Sequence, residues 1–303
     1  MKSSLRILTT VAALVLASIV VPLGAGMPRD ALLVSPLWLR QHLQDASLVL
    51  LHVGPEADYP GSHIPGARFL SLRTISRSDS TPGALTLEMP GADTLRAQLE
   101  ALGVSDGAHI VVYGAKDWFS PPTRVVLTLL QAGLNVSLLD GGLEAWTKEG
   151  GTVTSAIPAA RAGKPGPLVF KSIVVDADFV RSHANAPGFA IVDARDVVFY
   201  DGSREGGPAD RRVSGHIPGA RSVPYSEVTR ADMTLKSAAD LASVFAKAGV
   251  QAQDTVVAYC HIGQQATAVL FAARTLGHPI LLYDGSVEDW ARRGLPLENP
   301  AKQ

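Results

Sequence analysis

One six-residue sequence, HIPGAR, occurs twice in this chain, at residues 63–68 and again at 216–221. A second pair follows in the same order, since VVYG at 111–114 matches VAYC at 257–260. The other repeated stretches are LLHVG and IVDAR, at 50–54 and 191–195, and LLDGGLEAW and LLYDGSVEDW, which end at Trp146 and Trp290. The partners are separated by 216−63=153, 257−111=146, 191−50=141 and 290−146=144 residues. Four matches in one order predict two copies of one domain. The period is too long for a solenoid, so each copy should bury its own core.

The length of 303 residues suits two domains of about 130 residues, each able to bury its own core. We place the first domain at residues 30–150 and the second at 171–300. The segment 151–170 between them is rich in Gly, Ala and Pro, which is typical of a linker. Charged residues make up 18% of the chain and apolar residues 47%, as in globular proteins. The formal net charge of −1 provides no general basic surface, so nucleic acid is not an expected partner.

The N-terminus has the pattern of a secretory signal. Lys2 and Arg6 precede an uncharged run at 7–21, and small residues follow at 24–26. We therefore expect residues 1–26 to be a signal peptide, cleaved near Ala25 or Gly26, and the mature protein to be exported, in a bacterium to the periplasm. The alternative is an uncleaved membrane anchor, although a run of about 15 residues is short for a bilayer.

Each copy alternates short apolar runs with helical stretches, which predicts an α/β fold with a mainly parallel sheet flanked by helices. The predicted strands of the second copy are 190–193, 255–259 and 280–283. Its predicted helices run from a capping box at Ser237 to about Ala248, from Gln265 to Leu276, and around Trp290. In the first copy the strands are 48–52, 110–113 and 137–139, and the helices are 36–44, 93–102, 123–132 and 143–148.

The only cysteine, Cys260, follows a predicted buried strand directly, and a helix starts within six residues. Such a turn points its backbone N–H groups into one concave surface, at the positive end of the helix dipole. Gly263 permits the tight curvature. We call this segment the cysteine loop, and it contains Cys260, His261, Ile262, Gly263, Gln264 and Gln265. We expect it to bind an anion and to lower the pKa of the thiol, so that Cys260 is a nucleophile. The alternative is a buried structural cysteine.

These motifs together resemble the rhodanese family of sulfurtransferases: GHIPGA, then a strand, the cysteine, a short loop with Gly263 and a helix, then DG and, after four intervening residues, Trp290. With two copies and a cysteine in the second alone, the chain is similar to the tandem-domain thiosulfate and 3-mercaptopyruvate sulfurtransferases. The resemblance implies two tandem rhodanese-like domains and a persulfide mechanism at Cys260. A small anionic donor supplies a sulfane sulfur, and cyanide or a thiol accepts it. No metal or organic cofactor is implied, and a protein partner is not identified.

The cysteine loop departs from the family, whose loops commonly read CRKGVT or CGSGVT. Here only Cys260 and Gly263 match both forms. His261 offers at most a titratable charge, or it is a solvated loop residue. Asp193 and Arg195 match a family pair that serves as a structural pair. The family's donor-binding arginine, four residues further on, is replaced by Phe199.

A longer loop offers a substitute for that arginine. The second copy has 216−193=23 residues between the strand end and the repeated turn, against 63−52=11 in the first copy. We call this segment, residues 200–215, the lip. It carries three arginines as donor-binding candidates, Arg204, Arg211 and Arg212, unless it is only solvated surface.

The first copy is predicted to lack catalysis, because Gly114 stands where the cysteine should be and His52 stands where Asp193 should be. Lys116, Trp118 and Phe119 could still line the cleft between the domains. Because His63 and His216 occur in both copies, including the empty one, we expect them to stabilise turns. Trp146 and Trp290 are expected in the core for the same reason.

Two other classes of function were compared with a sulfurtransferase. A phosphatase with a cysteine loop needs an arginine six positions after the cysteine, and that position is Ala266. A non-catalytic module that carries a persulfide or senses redox state is compatible with the sequence, and an assay of turnover separates it from an enzyme.

Overall fold

A computed structural model describes residues 28–77, 84–115, 119–207 and 212–302. Within these residues the chain forms two parallel sheets of five strands, one in each sequence copy, and helices flank both. This confirms the predicted α/β fold and the duplication.

The first domain has the sheet order β1-β5-β4-β2-β3. Its central strand β4 is almost wholly buried, as an apolar strand covered by helices on both faces should be. The strands are β1 (Leu33–Val34), β2 (Leu48–Val53), β3 (Arg68–Leu70), β4 (His109–Gly114) and β5 (Asn135–Leu139). The helices are α1 (Arg29–Leu32), α2 (Pro36–His42), α3 (Ala92–Ala101), α4 (Ser120–Gln131) and α5 (Gly142–Lys148).

The second domain repeats this topology in the order β6-β10-β9-β7-β8. The strands are β6 (Val174–Val175), β7 (Phe189–Asp193), β8 (Arg221–Ser222), β9 (Thr255–Tyr259) and β10 (Ile280–Tyr283). The α-helices are α6 (Ala177–His183), α7 (Val197–Tyr200), α8 (Ala238–Lys247), α9 (Gln264–Thr275) and α10 (Ser286–Arg292), and 3-10 turns occur at Tyr225–Val228 and Pro300–Lys302. As predicted, the Ser237 hydroxyl caps α8 by accepting a hydrogen bond from Asp240 N.

The two domains pack through the equivalent helices α4 and α9. Thr123 and Thr267, which are counterparts in the repeat, share a hydrogen bond of 3.0 Å between their hydroxyl oxygens. Next to them, Gln264 Nε2 donates to Ser120 Oγ at 3.0 Å. Buried apolar side chains of both domains belong to one continuous cluster, so the domains share a core. Phe119, expected to line a cleft, is instead buried in that core.

Each domain also reaches across to the other with an equivalent loop. Met89 N of the first domain donates to Asp284 Oδ2 of the second at 2.7 Å. In the reverse direction, Leu235 N of the second domain donates to Asp140 Oδ1 of the first at 2.8 Å. Both aspartates precede the last helix of their own domain, so this exchange of contacts follows the pseudo-twofold symmetry of the repeat.

The repeated HIPGAR turns have the same contacts in both domains. His63 Nδ1 lies 2.7 Å from Tyr59 O and stacks on that ring, and His216 Nδ1 lies 2.8 Å from Tyr200 O and stacks likewise. These contacts suit the turn-stabilising role that we predict. Trp146 and Trp290 are each 1% exposed, as expected of core residues.

The linker lies against the first domain rather than in solvent alone. Gly163 N donates to Glu100 O at 2.7 Å, and Gly166 N donates to Asp106 Oδ1 at 2.7 Å. In the described part of the chain, none of the helices has the length and apolar character needed to cross a bilayer. The signal peptide predicted at residues 1–26 lies outside the described residues.

Candidate active site

Cys260 lies in the loop between β9 and α9. Its side chain is 1% exposed. Cys260 N donates to Ser286 Oγ at 3.1 Å. The carbonyl oxygens of Cys260 and His261 accept hydrogen bonds of 3.1 Å from Val287 N and Glu288 N, at the start of α10. These carbonyls point towards α10. The N–H groups that follow Cys260 in the loop point away from that helix, towards the cysteine sulfur.

Those N–H groups converge on the cysteine sulfur. The backbone groups that hydrogen-bond to the thiol belong to Ile262, Gly263, Gln265 and Ala266. Gly263 has φ +80° immediately before α9, and a Cβ added there would lie 2.6 Å from Asp284 O. Only glycine fits both the backbone conformation and the space. The loop therefore forms the concave surface that the sequence predicts, with Cys260 at its centre.

The expected lowering of the Cys260 pKa is wrong for this structure. Burial is the largest effect and raises the pKa of the thiol above its ordinary value of 9.0, while the four loop N–H groups act in the opposite direction. A thiolate that loses its water needs more stabilisation than these four hydrogen bonds supply. The same donors remain available to any negative charge on an outer sulfur atom.

Asp193 and Arg195 form a buried ion pair beside the loop. Arg195 Nη2 lies 2.5 Å from Asp193 Oδ2, Arg195 Nε lies 2.9 Å from Asp193 Oδ1, and both side chains are 0% exposed. Arg195 Nη2 also donates to Gly215 O at 2.8 Å, at the end of the lip. The geometry suits the structural role that we predict, because the pair joins the end of β7 to the lip.

His261 packs against aromatic and glycine residues rather than facing open solvent. Its ring meets the Phe199 ring edge-on, with 4.8 Å between centroids. A Cβ added to Gly206 would lie 2.2 Å from His261 Cε1, so the lip touches the ring closely. Burial, followed by the charge of Arg195, lowers the pKa of His261 to about 4. The imidazole is therefore neutral near pH 7 and supplies no positive charge.

The two lip arginines that the structure describes have exposed side chains. Arg204 is exposed, and its guanidinium lies 5.7 Å from the centre of the Phe199 ring. Arg212 is exposed next to Val213, which pairs with Gly206 across the lip. Arg211 lies outside the described residues, as do Lys116 and Trp118 of the first domain. A donor-binding role for the three arginines stays a prediction.

Sequence reasoning missed an arginine from the other domain. Arg124, in α4, lies 2.5 Å from Asp284 Oδ1 and 3.4 Å from Gly263 O, and it also donates to Leu87 O. Its side chain is 1% exposed. A signal was available, because Arg124 is the one charged residue in the otherwise uncharged helix SPPTRVVLTLLQ. The first domain thus contacts the cysteine loop although it has no cysteine.

The equivalent position of the first domain is filled. His52 pairs with Tyr113 in the register in which Asp193 pairs with Tyr259, so His52 occupies the place of the aspartate. Its Nδ1 lies 3.0 Å from Tyr113 Oη. At the position of the cysteine, Gly114 O lies 2.5 Å from a Cβ added to Gly142. Gly114 has no nucleophilic side chain, and the absence of catalysis in this domain stays a prediction.

The duplicated parallel sheets define an α/β protein of two like domains, with a cysteine at the centre of a strand-to-helix loop in the second domain. The Rhodanese-like domain model matches residues 35–149 and 176–293, and the chain belongs to this family. Both sequence copies are thereby assigned to the same kind of domain, which confirms the resemblance seen in the motifs.

Two relatives and one solved structure align with most of this chain. The 3-mercaptopyruvate sulfurtransferase of Escherichia coli K12 is 31% identical over 277 residues, which cover 86% of this chain and 95% of that protein. The thiosulfate sulfurtransferase of Rattus norvegicus is 30% identical over 247 residues, covering 79% and 80%. The crystal structure of YnjE superposes with a TM-score of 0.79 at 22% identity, covers 90% of this chain and 69% of that one, and supports the fold alone.

Proposed function

We propose that this protein is a sulfurtransferase that moves a sulfane sulfur from a donor to a thiophilic acceptor through a persulfide on Cys260. The observation that carries the proposal is the convergence of four backbone N–H groups on the cysteine sulfur. Such a cradle stabilises negative charge without reorganisation during the reaction. The two named relatives support this reading, since both are sulfurtransferases.

The first half-reaction transfers one sulfur atom to the protein. The Cys260 thiolate attacks the outer sulfur of a donor such as thiosulfate, a new S–S bond forms, and the donor's own S–S bond breaks. The leaving sulfite keeps the bonding electron pair. The total charge of −3 is conserved, since thiolate and thiosulfate give a persulfide anion and sulfite. The four loop N–H groups hold the new terminal sulfur, which carries the negative charge.

The second half-reaction returns Cys260 to its starting state. An acceptor such as cyanide or a thiolate attacks the terminal sulfur, and the Cys260 thiolate leaves with the electron pair. Since Cys260 is the sole cysteine of the chain, no second thiol of the same molecule can intercept the persulfide. The acceptor must therefore come from outside the chain.

The donor is a small anion of the thiosulfate or 3-mercaptopyruvate class. The lip arginines Arg204, Arg211 and Arg212 are proposed to attract it, because the position of the family's arginine is Phe199. Exposed charges act at a distance and are screened by salt, so they favour the approach of the anion more than its final position.

Steady-state turnover with a panel of donors and acceptors tests this function. The mature protein is assayed with thiosulfate or 3-mercaptopyruvate as donor and with cyanide or a dithiol as acceptor. Multiple turnovers with at least one pair are expected. A single loading of Cys260 without turnover would instead identify a persulfide carrier, and no loading by any donor would contradict the proposal.

We also propose that the protein is exported, on the basis of the sequence of residues 1–26. Fractionation of cells that express the full chain, followed by N-terminal sequencing, tests this. A new N-terminus near Ala25 or Gly26 in the exported fraction is expected, and full-length protein in the cytoplasm alone would contradict export.

A further inference from the structure

Two buried nitrogen atoms near Cys260 lack a hydrogen-bond partner among the residues that the structure describes. They are Arg195 Nη1 and His261 Nδ1. Buried polar groups in proteins are nearly always paired, and an unpaired N–H group of a charged side chain is especially costly. Two such nitrogen atoms near Cys260 indicate a binding site for a ligand that supplies the missing hydrogen-bond partners.

The topology brings both atoms to the same edge of the sheet. Strands β7 and β9 are parallel neighbours, with Asp193 opposite Tyr259, and Ala194 N donates to Tyr259 O at 2.9 Å. Ala194 and Cys260 are the next residues out along the two strands, and Arg195 follows Ala194. Arg195 Nη2 donates to Gly215 O at 2.8 Å, and Gly215 N donates to Phe199 O at 3.2 Å. Because the Phe199 ring also meets the His261 ring, Arg195 and His261 lie next to the same short segment of chain.

Electrostatic coupling agrees with this placement. Burial lowers the pKa of Arg195, but the charge of Asp193 and, to a smaller extent, that of a Cys260 thiolate raise it, so that the net shift is upward. After burial, the charge of Arg195 is the next cause of the low pKa of His261. Arg195 is thus close enough to act electrostatically on both the nucleophile and the neighbouring ring.

The guanidinium is held in one orientation. Arg195 Nε and Nη2 are occupied by Asp193, and Nη2 also donates to Gly215 O. These bonds leave the Nη1 amino group as a fixed donor, and a donor that needs no reorganisation is effective in stabilising a developing charge. The carboxylate of Asp193 balances the charge of the guanidinium, so the remaining group acts as a directed donor at short range.

We propose that Arg195 Nη1 and His261 Nδ1 form an inner subsite that binds the anionic leaving group of the sulfur donor while Cys260 attacks the outer sulfur. The inference rests on the proposed function and gives the Asp193–Arg195 pair a role beyond a structural one. As the S–S bond of the donor breaks, the leaving group takes the electron pair, and Arg195 Nη1 donates to the oxygen that gains charge. The substrates of this subsite are donors whose leaving group is a small oxyanion.

The matched variant is Arg195→Lys, because lysine keeps a positive charge for Asp193 but has no second amino group at Nη1. Sulfur loading of Cys260 is measured in single turnover with thiosulfate, which gives the persulfide and sulfite, and with an uncharged dialkyl trisulfide, which gives a mixed trisulfide of Cys260 and an alkyl thiolate. We expect thiosulfate loading to fall about 10- to 100-fold and trisulfide loading to change less than about threefold. His261→Phe, which keeps a ring against Phe199, should give a smaller loss with thiosulfate alone. Because the subsite is buried, the loss should be independent of salt.

The outcomes separate the two proposals. If the wild type is loaded by neither thiosulfate nor 3-mercaptopyruvate, the sulfurtransferase function is wrong and the subsite with it. If the wild type is loaded and Arg195→Lys matches it with thiosulfate, or loses both donors equally, the subsite is wrong while the function stands. If Arg195→Lys does not unfold cooperatively, Cys260→Ser labelled with 15N-arginine is titrated with thiosulfate. A shift of the Arg195 guanidinium resonance supports the subsite, and no shift at saturating donor overturns it.

Discussion

Arg124 of the first domain and Asp284 of the second form a buried ion pair of 2.5 Å, with side chains 1% and 6% exposed. The pair joins the domains at the cysteine loop, since Arg124 Nη1 also lies 3.4 Å from Gly263 O. Asp284 accepts a second hydrogen bond from Met89 N of the first domain. The domain without the cysteine is thus a structural part of the site.

Removing only one partner of this pair is expected to destabilise the protein strongly. Arg124→Met leaves the Asp284 carboxylate buried without its charge partner, which typically costs about 3–5 kcal/mol. The double variant Arg124→Met/Asp284→Asn should recover part of that loss, because it leaves no uncompensated charge. Urea denaturation of the wild type, both single variants and the double variant measures the coupling. Additive effects would show that the two side chains do not interact energetically.

Cys260→Ser is expected to fold normally and to lose turnover by at least about a thousandfold, because covalent catalysis has no substitute nucleophile in this chain. After treatment with donor, mass spectrometry should show one added sulfur, about 32 Da, on the wild type and none on the variant. Turnover retained by the serine variant would contradict a persulfide mechanism.

The raised pKa of Cys260 predicts slow reaction of the resting thiol at neutral pH. Because burial favours the neutral thiol, the thiolate fraction should rise only as the pH passes the ordinary value of 9.0. The rate of alkylation by iodoacetamide, measured from pH 6 to about 10.5, reports the midpoint. A midpoint below about 8.5 would mean that the four loop N–H groups outweigh burial, as the sequence first indicates.

Much of the fold follows from the apolar pattern of the sequence. The predicted bounds of β9 and β10 agree with the structure, because an unbroken apolar run of four or five residues bounded by polar residues is typical of a central parallel strand. The edge strands β1 and β6 have two residues each, too few for any periodicity to be visible. Their pairing depends on the sheet that they join.

Only the part of the site that lies in one continuous segment could be predicted from the sequence. The cysteine loop is one continuous segment, so Cys260 and Gly263 could be placed from their order along the chain. The contact of Arg124 with Asp284 joins residues 160 positions apart and depends on how the domains pack. The pKa of Cys260 depends on how completely the folded chain buries it, and a loop sequence does not contain that information.

Acid should destabilise the protein through His52. Burial, and then the charge of His63, lower the pKa of His52 from 6.5 to about 4, whereas Asp58 acts in the opposite direction. A buried group with a lowered pKa stabilises the fold fully above its unfolded pKa and loses that contribution as the pH falls from 6.5 towards 4. The loss from this residue between pH 7 and 5 is about 2 kcal/mol. His52→Asn should lose less than the wild type in urea denaturation at these two pH values, and an equal loss would contradict the prediction.

The lip arginines are expected to act by attraction at a distance. In the triple variant Arg204→Ala/Arg211→Ala/Arg212→Ala, the donor concentration that gives half of the maximal loading rate should rise about tenfold at low salt. This effect should become smaller as salt is added. Discharge of the persulfide to a neutral thiol should change much less. If the donor half-reaction equals that of the wild type at low and moderate salt, the lip is solvated surface without a role in donor binding.

The burial of Cys260 also determines how long a sulfur atom can be stored. A side chain that is 1% exposed meets dissolved oxidants and thiols only when its surroundings open. Phe199 and Gly206 cover the ring of His261, the neighbour of Cys260. At high acceptor concentration the discharge rate should therefore level off at the rate at which the surroundings of Cys260 open. Under these conditions the fold, and not the acceptor concentration, determines the lifetime of the Cys260 persulfide.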